Sequence, residues 1–97
     1  MHLQDQDKKS IRVLVVTNKR GLHARASSKF VKLVETFEAE IVVSRDGLSV
    51  HGNSIMGLML LAAGPGSTIE VAATGPDAEA AIEAIAELLT DKFGEDE

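Results

Sequence analysis

The sequence predicts an α+β fold: a two-layer, open-faced sandwich whose four-stranded antiparallel sheet is covered on one face by three helices. Two observations carry this. β-Branched apolar runs alternate along the chain with segments whose apolar residues recur at helical spacing. Their order, β-α-β-β-α-β-α, gives two strand–helix–strand units and one hairpin, most simply satisfied by one sheet. The 97 residues suffice for one domain and not for two. A domain of this size buries somewhat over about 60% of its unfolded surface, so a single core is feasible.

Residues 1–10 are polar and read as a flexible N-terminal arm. Ile11 to Thr17, IRVLVVT, reads as a buried strand. Asn18 to Gly21 break it, and from Ala24 the residues Ser27, Phe30, Val31, Val34 and Phe37 follow an amphipathic helix. Glu40 to Arg45 and Leu48 to His51 are strands joined by Asp46-Gly47, a tight hairpin turn. Gly52-Asn53-Ser54 supplies N-cap chemistry for a short helix, Ile55 to about Leu61. Gly64-Pro65-Gly66 is a turn, and Thr68 to Thr74 form a strand with Ile69, Val71 and Ala73 on one face. Gly75-Pro76-Asp77 opens a last helix with the stripe Ala78, Ala81, Ile82, Ile85, Leu88 and Leu89. The domain is expected to span 11–92, leaving 93–97 as an acidic tail that frays after Phe93.

Composition narrows the function. Apolar residues make up 44% of the chain, but the only aromatics are three Phe, so the core is aliphatic. A domain this small has no room for a deep substrate cavity, which points to chemistry at the surface. Ten basic against fifteen acidic residues give a net charge of −5, the wrong balance for a non-specific nucleic-acid binder. The one dense basic feature is Lys19 and Arg20 with Arg25 and Lys29 nearby, a local patch for an anion or an acidic partner. Lys19 and Lys29 also fit a plainly solvated face. There is no cysteine, hence no disulfide framework or thiolate metal site, which is compatible with a reducing cytoplasm. MHLQDQDKKS lacks the apolar stretch of a signal peptide. The longest apolar run, Ile55 to Ala63, is about half the roughly 18 residues of a membrane span.

Gly21-Leu22-His23-Ala24-Arg25 lies between a strand and the start of a helix. A helix N-terminus presents unpaired N–H groups and partial positive charge, a ready phosphate site. His23 is placed at or beside the N-cap, where an anion on its ring meets those N–H groups. The same field favours the neutral, nucleophilic imidazole. Arg25 in the first turn opposes the helix dipole but can bond phosphate oxygens. Gly21 lets the chain turn tightly enough to present the ring. Taken alone, a histidine before a helix is more often a simple cap.

TNKRGLHARASSKF resembles the active-site region of HPr-like phosphocarriers, whose pattern is Gly-hydrophobe-His-x-Arg-Pro-Ala. GNSIMGLMLL resembles that family's regulatory-serine helix, and IEVAATGPDAEAAIEAI its last strand and helix. The resemblance spans about Ile11 to Leu89. It implies a stoichiometric carrier, not a free-standing enzyme, that takes a phosphoryl group from phosphoenolpyruvate-charged enzyme I and gives it to an enzyme IIA. By residue-wise carry-over His23 is phosphorylated on Nδ1, Arg25 orients the phosphate, and Ser54 matches the serine modified by an HPr kinase/phosphorylase. Leu22, Ala24, Ile55, Met56 and Met59 are expected to form the partner-docking rim. Met suits a surface that fits several partners, although a Met stripe on a helix is usually core. No cofactor, metal, nucleic acid or membrane is implied, and a cytoplasmic monomer is the natural state for a shuttle.

One departure stands out: Ala26 replaces the family's proline, which adds an N–H donor to the first turn. TNK and TGP look closer to the nitrogen-branch carrier, NPr, whereas Ser-Ile-Met-Gly looks closer to kinase-regulated HPr. The mixture points to a proteobacterial carrier in a regulatory, nitrogen-type relay. Ser54 beside Asn53 is also what a helix start wants without any modification. His51 and His2 are expected to be solvated, as are Glu79/Glu83 and Glu95/Glu97. Two other functions compete: a small-molecule-binding regulatory domain of ferredoxin-like shape, and an enzyme using His23 as a base. The first leaves His23 and Arg25 unexplained as a pair, and the second lacks a further catalytic group at a recognisable spacing and a pocket.

Overall fold

The computed structural model describes residues 9–95. The strands are β1 (Lys9–Val15), β2 (Glu40–Arg45), β3 (Leu48–His51) and β4 (Thr68–Thr74). The helices are α1 (Ala24–Val34), α2 (Ile55–Leu60) and α3 (Ala78–Thr90), followed by a 3-10 turn over Lys92–Gly94. The predicted order β-α-β-β-α-β-α is the observed one, and the sheet is antiparallel with strand order β1-β4-β2-β3.

Strand β1 corrects two expectations. It begins at Lys9, because Lys9 and Ser10 pair with Thr74 and Ala73 at the far end of β4. The proposed arm therefore ends before Lys9, and its remainder lies outside the described residues, as do His2 and Glu97. Nor is β1 buried throughout. Ile11, Val13 and Val15 are about half exposed or more on the uncovered face of the sheet. The reason is the two-layer build: only one sheet face meets helices, so alternate residues face outward whatever their polarity. Leu14 on the other face packs against the core, and Arg12 pairs with Glu83 of α3 at 2.9 Å.

The core is aliphatic apart from Phe30 and Phe93. Phe30 from α1, Leu58 from α2, Val43, Ile69 and Val71 from the sheet, and Ile82, Ile85 and Leu89 from α3 are all buried at 2% exposure or less. Full burial of one such side chain is worth about 1.5–3 kcal/mol relative to exposure. Helix α1 packs against both α2 and α3, and α3 spans β1 and β4. The loop before α1 thereby meets the segment that follows α2, at Ala63, and the segment that follows α3, at Glu95. The expected fraying after Phe93 is corrected as far as Glu95. Phe93 is 1% exposed, and its carbonyl accepts a 2.6 Å hydrogen bond from Lys29 Nζ.

Candidate functional site

The loop before α1 is pinned from both sides. Gly21 has φ +64°, and Leu22 N–H donates to the Ala63 carbonyl at 3.0 Å. A Cβ on Gly21 would lie 2.2 Å from that same carbonyl oxygen, so only glycine permits this approach. Asn18, treated in the sequence only as a strand breaker, is fully buried. Its Nδ2 donates to the Gly21 carbonyl at 2.8 Å and to Glu95 Oε1 at 3.1 Å. Asn18 Oδ1 has no hydrogen-bond partner among the described residues.

His23 is the N-cap of α1, with extended backbone, and its Nδ1 accepts from the Arg25 backbone N–H at 3.3 Å. The imidazole thus performs the capping role usually taken by a Ser or Asp oxygen. Its Nδ1 edge faces the first-turn N–H groups, where the helix field is positive. On the opposite edge, Nε2 lies 2.6 Å from Glu95 Oε2, at hydrogen-bond distance. The His23 side chain is 22% exposed and that of Glu95 14%, so the ring is seated yet reachable. Ala24 and Arg25 lie exposed beside it, Ala26 is buried, and Ser27 Oγ donates to the Leu22 carbonyl at 3.1 Å.

Glu95 corrects the expectation of a solvated tail carboxylate. Desolvation pushes its pKa up, but hydrogen bonding to His23 and Asn18 and the electrostatic pull of the His23 ring and Arg25 outweigh this and hold it below the ordinary glutamate value. A carboxylate whose pKa is lowered by folding adds stability above its unfolded value, and that stability is lost as pH falls through the lowered one. The seating of Glu95 is therefore expected to survive down to about its ordinary value of 4.5 and to weaken below it. The Gly94 and Glu95 amide shifts, followed by NMR from pH 7 to pH 3, check this; no movement below pH 4.5 would contradict it.

The predicted docking residues separate. Ile55, Met56 and Met59 are exposed on α2, at 39%, 76% and 43%, and the unpredicted Leu60 joins them at 68%. Leu22 is a correction: it is 5% exposed and belongs to the core, because the pinned loop turns it inward under α1. Ser54 caps α2, its Oγ accepting from Gly57 N–H at 2.9 Å. Arg25 and Lys29 are exposed on α1, and Lys29 is engaged by the tail.

Sequence reasoning missed Glu95 and Asn18. The signal for the first is Phe93, an aromatic stranded beyond the last helix and followed by Gly94, which marks an anchor and a turn. Among the described residues no cluster of His, Asp or Glu is arranged to hold a metal ion, and no helix is long and apolar enough to cross a membrane.

The family model described as "PTS HPr component phosphorylation site" matches residues 11–91. The chain belongs to the HPr family. Phosphocarrier protein HPr of Cupriavidus necator is 46% identical over 82 residues, which cover 84% of this chain and 92% of that relative. Phosphocarrier protein NPr of Escherichia coli is 40% identical over 82 residues, covering 84% and 91%. The crystal structure of HPr-C-His from Thermoanaerobacter tengcongensis matches with a TM-score of 0.86 at 38% identity, over 91% of this chain and 99% of that one. HPr proteins are phosphocarriers of the phosphotransferase system, and the fold described above is the HPr fold.

Proposed function

We propose that His23 accepts a phosphoryl group on Nδ1 from phosphoenolpyruvate-charged enzyme I and donates it to an enzyme IIA. The observation that carries this is the ring's position as N-cap of α1, Nδ1 toward the first-turn N–H groups. A phosphoryl group on Nδ1 replaces one weak capping contact by charge-assisted bonds to several donors. Arg25, exposed in the same turn, adds its guanidinium to the phosphate oxygens. Ala26 in place of the family's proline leaves one more N–H in that turn.

The chain acts as a co-substrate, altered in one reaction and restored in the next. Transfer must then be close to thermoneutral in both directions. A shallow surface site suits this, since it shields the phosphate without trapping it. Ala24, Ile55, Met56 and Met59 form the apolar rim on which the larger partners dock in turn, and Leu60 extends it. The carrier works as a cytoplasmic monomer. TNK and TGP favour a nitrogen-type relay; a sugar-type IIA accepting phosphate far faster than a nitrogen-type one would defeat that assignment.

The decisive test is intact mass after incubation with phosphoenolpyruvate, magnesium and catalytic enzyme I. One acid-labile phosphoryl group is expected. A folded sample that gains no mass with several enzyme I proteins would end the proposal.

Ser54 is the proposed site of an HPr kinase/phosphorylase. It caps α2, which packs against α1, so phosphate there places negative charge on the docking face while remaining favourable to its own helix. Asp caps as well as Ser. Ser54→Asp is therefore expected to leave the melting temperature within a few degrees while slowing phosphate uptake from enzyme I about tenfold or more. An unchanged uptake rate would remove Ser54 from the docking surface.

A further inference from the structure

Two contacts constrain the same ring from opposite edges. The Glu95 pKa lies below the ordinary glutamate value, so the carboxylate is ionised at neutral pH, and an ionised carboxylate only accepts hydrogen bonds. The atom facing it at 2.6 Å, His23 Nε2, must carry the proton. On the other edge Nδ1 accepts from Arg25 N–H at 3.3 Å, so Nδ1 must carry a lone pair. Both contacts select one form of the side chain: the neutral tautomer protonated on Nε2.

We infer that Glu95 is a positioning residue for phosphoryl transfer, holding the imidazole proton on Nε2 so that the Nδ1 lone pair is the nucleophile; this rests on the proposal that His23 is the acceptor. In the forward step the Nδ1 lone pair attacks phosphorus while the bond from phosphorus to the donor breaks, its electron pair returning to the donor. No proton has to leave Nδ1. The new phosphoimidazole retains Nε2–H and gains positive charge, which the Glu95 carboxylate faces. When the phosphoryl group moves on, the electron pair of the breaking P–N bond stays on Nδ1 and the neutral tautomer is regenerated. One hydrogen bond serves both directions. A second-sphere carboxylate on the remote imidazole nitrogen is a general device for fixing a tautomer.

The tail is built to deliver this carboxylate. Lys92 and Phe93 have φ of +55° and +57° without being glycine. Such left-handed residues are strained, the burial of Phe93 opposes that strain, and polar contacts at Lys29, Asn18 and His23 fasten the tail. Asn18, fully buried and bonded to both the Gly21 carbonyl and Glu95, ties the carboxylate to the histidine loop.

A latch that merely fastens the tail would leave the ring's chemistry alone, so the test reads the ring. In the full chain, long-range 15N–1H NMR should show His23 as the Nε2–H tautomer, with a mixture in Glu95→Ala. Phosphoramidate, a small phosphoryl donor that needs no partner protein, should phosphorylate the wild-type ring on Nδ1. In Glu95→Ala a substantial share should appear on the uncovered Nε2. Uptake from phosphorylated enzyme I should slow about tenfold in Glu95→Ala, a modest share of what a general acid–base partner contributes. Glu95→Gln, whose amide carbonyl can still accept from Nε2–H, should restore the tautomer. Wild-type tautomer and product distribution in Glu95→Ala would overturn the inference and leave the carrier proposal standing. Wild-type phosphorylation on Nε2 by phosphoramidate would overturn it too. If enzyme I fails to phosphorylate the wild-type chain, the carrier proposal falls, while the tautomer and phosphoramidate results still decide the role of Glu95.

Discussion

Replacing His23 with alanine is expected to abolish phosphate acceptance from enzyme I while leaving a folded domain. The imidazole supplies the nitrogen nucleophile at the N-cap of α1, and a methyl group has no lone pair to offer. The structural cost is that of a lost N-cap acceptor, about 0.5–2 kcal/mol, because the ring is partly exposed and contributes little to the core. Circular dichroism should therefore show native helix content and a melting temperature lowered by about 2–15 °C. Intact mass after the phosphoenolpyruvate reaction should show no phosphoryl adduct. Full phosphorylation of His23→Ala would move the acceptor to another residue and dismantle the site described here.

The second large effect is expected at Gly21, where alanine should damage the fold itself. Its Cβ would meet the Ala63 carbonyl oxygen at 2.2 Å and Gly64 Cα at 2.8 Å, both backbone atoms that cannot swing aside. The residue also holds φ +64°, which costs alanine about 1 kcal/mol before any clash. Together these are expected to destabilise by about 3 kcal/mol, or on the order of 10–20 °C in melting temperature for a domain this size. Gly64→Ala is the matched control: nothing lies within 4 Å of the new Cβ and its φ is not positive. Thermal unfolding of the pair checks this, and equal melting temperatures would show that the loop relaxes freely. Since Leu22 N–H bonds the same Ala63 carbonyl, any movement here also shifts His23.

Much of the fold was legible because its signals are local. The stripe Ser27, Phe30, Val31 and Val34 repeats at helical spacing and lies buried along α1. The alternation of Ile69, Val71 and Ala73 marks the buried face of β4. Asp46-Gly47 closes the β2–β3 hairpin with both residues at positive φ. Errors arose where a partner sets the outcome. Strand β1 starts at Lys9 because β4 is long enough to pair with it, and nothing within MHLQDQDKKS says so. Leu22 looks like any exposed loop leucine until the loop is pinned against Ala63.

The candidate site divides in the same way. By itself the sequence determined that a histidine stands at the N-cap of an amphipathic helix with an arginine in the first turn, since capping and periodicity involve neighbouring residues. It also placed an apolar Met-bearing helix in the chain and a serine at its cap. Only the tertiary structure decided that Glu95, 72 residues from His23, closes on the far edge of its ring. That contact requires Phe93 to find its place in the core and two left-handed residues to turn the chain back. Burial of Phe93, backbone strain and the tail's polar contacts settle it together, and none of them is written in any local pattern.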